Sequence, residues 1–149
     1  MQRPSHAKRG SQLVLFDCEG EISSLFDDLS VFKQLPSNCE CCLFWNKNNQ
    51  AMTVKLDQLC DNQQVYLYPS DVGGASQSVM DTLTHVIGQY VFWYRSIFIV
   101  HGLDDIYNEV IQHFNSSYGR NRIRQRKIEI QPLQLFENCL QNLSTRAKN

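Results

Sequence analysis

Four short apolar runs constrain the fold of this chain more than any other feature: "LVLFD" (13–17), "CCLFWN" (41–46), "VYLYP" (65–69) and "SIFIV" (96–100). A strand with one wet face alternates apolar and polar residues. These runs are almost continuously apolar, as strands covered on both faces must be. Strands buried in this way belong to parallel sheets, and parallel neighbours need a crossover segment to join them. "RKIEIQ" suggests a fifth strand.

The intervening stretches supply the crossovers. Ile22, Leu25, Phe26, Leu29 and Phe32 recur at helical spacing and Pro36 ends that pattern, which predicts a helix after the first strand. "AMTVKLDQLC" reads as a short helix. "SDVGGASQSVMDTLTHVIGQY" opens as a Gly-rich loop and becomes a helix from about Ser76, with Val79, Leu83, Val86, Ile87 and Tyr90 on its apolar face. "DDIYNEVIQHF" predicts another helix, with Ile106, Val110, Ile111 and Phe114 inward and "SSYGRNR" ending it. Leu133, Phe136, Leu140 and Leu143 predict a closing helix. The expected architecture is a three-layer α/β/α sandwich. Its mainly parallel sheet has about five strands, ordered 3-2-1-4-5 if every crossover is right-handed. Residues 1–12 read as a flexible basic lead-in within a longer protein, 13–143 as a single domain and 144–149 as a tail. No internal repeat divides the 149 residues.

Charge narrows the function classes. Fourteen Lys and Arg against 15 Asp and Glu leave a net charge of −1, so the chain has no global attraction to nucleic acid or membrane. No apolar run approaches the roughly 20 residues of a membrane span, and the N-terminus lacks the apolar segment of a signal peptide. That points to an intracellular setting. There the cysteines at 18, 39, 41, 42, 60 and 139 are expected as thiols rather than disulfides. Zinc is not expected, because "NCECC" is followed only by lone Cys60 where structural sites repeat a pair of ligands.

In an open parallel sheet, ligands collect beyond the carboxyl ends of the strands where the strand order reverses. Here that switch point brings the end of the first strand (Asp17, Cys18, Glu19) beside that of the fourth (His101, Gly102, Leu103, Asp104, Asp105). Asp81, on a polar stripe with Thr84, His85 and Gly88, could reach the same crevice. Converging carboxylates are what magnesium or manganese requires, and such metals can activate water for phosphodiester hydrolysis. The competing reading is structural. Asp104 and Asp105 stand where a helix N-cap belongs, Asp17 and Asp81 can be exposed acids, and His85 and His101 read as packing or hydrogen-bonding residues. A second feature is basic: Arg120, Arg122, Arg124, Arg126 and Lys127 fall within eight positions, and alternation would line the four arginines along one side of an extended segment. Such a stripe can follow a phosphate backbone, or simply keep an edge strand soluble.

"LVLFDCEG", "SDVGGASQSVMDTLTHVIGQY" and "SIFIVHGLDDIYNEVIQHF" together resemble the PIN-like/NYN nuclease superfamily over most of residues 13–131. The resemblance implies metal ligands at Asp17 and Asp81, support from Glu19, and a glycine at Gly88. In that family the fourth strand ends in a Ser-Gly-Asp pattern. Here His101, Gly102 and Leu103 occupy those places, and leucine cannot ligate a metal. Asp104 or Asp105 would have to substitute, with Asp105 as the candidate ligand. The chain also resembles PIN-like domains carried by nuclear zinc-finger SUMO ligases, which implies a nuclear setting with the ligase chemistry elsewhere. The resulting expectation is a catalytically degenerate PIN-like module without a cofactor, meeting a protein partner or single-stranded nucleic acid. The alternative is an active Mg- or Mn-dependent endoribonuclease.

Overall fold

A computed structural model describes residues 12–19, 26–70, 75–102, 107–119 and 127–132; for 75–78, 118–119 and 127–132 it describes secondary structure only. The strands are β1 (Gln12–Asp17), β2 (Cys39–Asn46), β3 (Val65–Ser70), β4 (Ser96–His101) and β5 (Lys127–Pro132). The α-helices are α1 (Gln50–Asp57), α2 (Ala75–Tyr90) and α3 (Asn108–Gly119). The protein is α/β, with a parallel sheet in which the order β3-β2-β1-β4 forms the body and β5 lies beside β4. No described helix is long and apolar enough to cross a membrane.

Strand alternation divides the core into two layers. Val14, Phe16, Cys39, Cys41, Leu43 and Trp45 face α1, where Met52 and Leu56 cover them. Leu13, Leu15, Cys42, Phe44, Ile97 and Ile99 face the other way, beneath Val79, Leu83, Val86 and Ile87 of α2 and Phe114 of α3. The apolar stripe read from α2 is thus the buried one. Cys39 and Cys41 point to one side of the sheet and Cys42 to the other, so these thiols do not converge. Burial pushes the Cys42 thiol well above its ordinary range, with the charge of Glu40 adding to the effect, so it is held protonated.

Three expectations are corrected. The helix read after β1 is absent from the described part of that segment, which forms only short 3-10 turns, the longer being Ser30–Gln34. Asp28 explains the break: its Oδ1 accepts the Ser30 N–H at 3.0 Å, a local bond that competes with helical pairing. Phe26 and Phe32 bury nonetheless. They stack 5.9 Å apart, each meeting the Phe16 ring edge-on, which pins the segment to the sheet. Strand β2 begins two residues earlier than the apolar run suggested. Helix α3 continues through "NSSYG" to Gly119, beyond the break read at Ser116. Serine and asparagine disfavour a helix by only a few tenths of a kcal/mol each, roughly, and docking on the sheet outweighs that. The closing helix read over 133–143 lies outside the described residues.

Candidate functional site

Each of the first four strands ends on a buried polar residue: Asp17, Asn46, Ser70 and His101. Apart from these four, the buried polar residues among those described are Gln12 and Glu40. Side chains two apart on a strand share a face, so all four belong to the α2/α3 side: Asp17 follows Leu13 and Leu15, and His101 follows Ile97 and Ile99. The carboxyl end of the sheet therefore carries a polar row beneath two helices, at the place where α/β sheets hold ligands.

Asp17 is the centre of this row and is 0% exposed. The hydroxyl of Tyr107, just before α3, donates to its Oδ2 at 2.5 Å, and the backbone N–H of Glu19 donates to its Oδ1 at 3.1 Å. Both carboxylate oxygens are thus committed within the protein. Burial raises the Asp17 pKa above its ordinary 3.8, with the nearby Glu19 charge adding to the effect, while the two donors pull it back. Burial and the adjacent carboxylate also raise the Tyr107 pKa strongly, so the phenol remains a donor. Its ring packs against His101, with centroids 4.9 Å apart.

The neighbouring groups are held by short local bonds. Glu19 does not point into an open crevice: its Oε1 accepts the Asn46 backbone N–H at 2.6 Å, tying the loop after β1 to the end of β2. Ser70 meets Thr82 of α2, hydroxyl to hydroxyl, at 3.1 Å. Cys18 is buried, and burial first, then the Asp17 charge, pushes its thiol well above the ordinary range. An acidic group beside a protonated thiol is a poor setting for a nucleophile.

Asp81 occupies an exposed position on α2, whereas Thr82 turns toward β3. Among the described residues, no three His, Cys, Asp or Glu side chains come together in a way that could hold a metal ion. Leu103, Asp104, Asp105, Arg120, Arg122, Arg124 and Arg126 lie outside the described residues; Lys127 is placed by its backbone, opposite Ser96. Sequence reasoning missed Tyr107, Asn46, Ser70 and Thr82. The strand ends carried a readable signal, because each apolar run is closed by a polar residue of matching parity. Tyr107 carried none, since its partner is 90 positions away. No protein-family model, curated protein or solved structure matches the chain significantly.

Proposed function

We propose that this chain is a PIN-like domain with a sheet of five strands, whose first-strand acid has become a structural anchor. It serves as a non-catalytic binding module within a larger nuclear protein. The observation carrying this reading is the capture of Asp17, whose two oxygens are taken by Tyr107 and the Glu19 backbone. A divalent cation at this place would have to displace the phenol and then find further oxygen ligands. The described residues do not fit one: Asp17 is sealed, Asp81 is exposed, and Glu19 is engaged with β2. Leucine at position 103 supports the same conclusion from the sequence.

Activity and metal binding test the reading together. Single-stranded RNA and DNA should survive incubation with the chain in Mg2+ or Mn2+. Amide signals of Asp17, Glu19 and Asp81 should not shift when either metal is titrated to millimolar concentration. Cleavage that vanishes in Asp17→Asn would overturn the proposal in favour of a metal-dependent endoribonuclease.

A further inference from the structure

At the amino end of the sheet, one buried carboxylate ties together two segments that share no backbone pairing. The first is β3, which closes an edge of the sheet and is paired with β2 alone. Few paired backbone groups are what let a segment open locally, so an edge strand depends on its other ties. Tyr66, the second residue of β3, turns into the α2 layer, and its hydroxyl donates to Oε2 of Glu40. The other oxygen, Oε1, takes the Tyr94 hydroxyl at 3.0 Å. Glu40, Tyr66 and Tyr94 are all buried, so both bonds are made away from bulk water.

The second segment is the turn between α2, which ends at Tyr90, and β4, which begins at Ser96. Val91 donates its N–H to the Ile87 carbonyl and Trp93 to that of Tyr90, both at 2.9 Å. Phe92 and Trp93 stand 45% and 39% exposed in this turn, and Arg95 is exposed after them. Tyr94 points the other way. It is fully buried, with its ring edge-on to Tyr90 at a centroid distance of 6.4 Å. Burial first, and the Glu40 charge second, push its pKa up strongly, so the phenol stays a donor. Strands β2 and β1 lie between β3 and β4, so no backbone ladder joins the turn to the sheet edge. Glu40 joins them.

The two bonds support each other. A buried carboxylate oxygen without a donor is costly, because nothing replaces the water it gave up. When the turn swings out and Tyr94 leaves Oε1, that oxygen is either stranded or reached by water. Water at the carboxylate then competes with Tyr66 for Oε2 in surroundings that are no longer dry. The reverse follows when β3 lifts and Tyr66 leaves first. Each bond is therefore strongest while the other is closed. We infer that Glu40 is a two-pronged latch coupling the edge strand β3 to the aromatic turn 91–95, so that the two open together. Whatever loosens the sheet edge unseats Phe92 and Trp93, and by reciprocity whatever displaces the turn loosens β3. The Asp17 row, at the carboxyl ends of the strands, takes no part in this coupling.

Hydrogen exchange of the full chain, followed amide by amide in NMR spectra, tests the latch. The amides of β1, the central strand, report global unfolding and serve as the reference. Tyr66→Phe alters β3 alone, yet it should speed exchange at Val91 and Trp93 about ten-fold relative to β1, the size of one lost hydrogen bond. Tyr94→Phe should do the same to the β3 amides from the other side. Glu40→Gln keeps the shape, removes the charge and should speed both sets. In the double variant Tyr66→Phe/Tyr94→Phe the effect should fall short of the product of the single effects, because the second loss removes a bond already weakened. A turn unaffected by Tyr66→Phe while β3 exchanges faster overturns the latch. So does a double variant equal to the product, or acceleration shared equally by β1. Should a variant fail to fold, the native chain still decides. Its β3 and turn amides should show one opening free energy and one dependence on sub-denaturing urea, and two distinct dependences overturn the coupling.

Discussion

Asp17 and Glu40 are both buried carboxylates on the α2/α3 face of the sheet, yet they stand at opposite ends and are held differently. Asp17 ends β1 and takes one phenol, from Tyr107, and one backbone N–H. Glu40 lies near the start of β2 and takes two phenols: Tyr66 donates to Oε2 and Tyr94 to Oε1. The phenols of Glu40 come from β3 and from the turn after α2, so its carboxylate cross-links three parts of the fold. Asp17 cross-links β1 to the entrance of α3. A buried carboxylate is tolerated only when its oxygens are satisfied, and the comparison shows two solutions. One sits where α/β proteins place their chemistry, and the other beneath the exposed aromatic turn. Burial of a carboxylate in this sheet is thus matched in both places by donors drawn from other elements or from the adjoining backbone.

The largest expected effect breaks the Glu40 side. Glu40→Ala leaves two buried phenols without their acceptor and opens a cavity. Denaturant unfolding should show a loss of about 3–5 kcal/mol, and the turn bearing Phe92 and Trp93 should lose hydrogen-exchange protection. Tyr107→Phe comes next: it leaves Asp17 with only the Glu19 N–H and should cost about 1.5–3 kcal/mol at neutral pH, as for a bond to a charged acceptor. If Tyr107→Phe is neutral, Asp17 is not an anchor and the contrast with a ligand-binding acid collapses.

Asp17→Asn sharpens the comparison through pH. Burial raises the Asp17 pKa above 3.8 in the folded state. The folded chain therefore keeps this proton to higher pH than the unfolded chain does. The stability so contributed is full below 3.8 and is lost as pH rises through the folded value. Native minus variant stability should accordingly fall with rising pH across that window, and at neutral pH Asp17→Asn should lie within about 1 kcal/mol of the native chain. A flat difference would mean that Asp17 titrates alike in both states. The smallest effect is expected at the margin of the row, where Ser70→Ala removes the hydroxyl contact to Thr82. About 0.5–1.5 kcal/mol is expected from thermal unfolding, the ordinary yield of a neutral hydrogen bond.

Much of the layout was legible in local pattern. The apolar runs placed β1 to β4, and Val79, Leu83, Val86, Ile87 and Tyr90 marked the buried side of α2. What failed was local competition. The spacing of Phe26, Leu29 and Phe32 matched a helix, but the bond from Ser30 to Asp28 favours 3-10 turns over that stretch. Spacing records which residues want burial, and two different backbones can bury the same pair of phenyl rings. The candidate site divided in the same way. Asp17 was found because it closes an apolar strand. Asp81 was judged by its stripe, and its exposure depended on which neighbour turned inward; Thr82 did.

The sequence by itself determined the first four strands, the parallel sheet they require and the acid that closes the first. These follow from hydrophobic period and from the need to cover both faces. Only the tertiary structure decided what the buried acids became. Tyr107 meets Asp17 across 90 positions, and Tyr94 meets Glu40 across 54. A hydrogen bond between residues so distant leaves no periodic trace in the chain, because it exists only after the sheet and helices have been brought together.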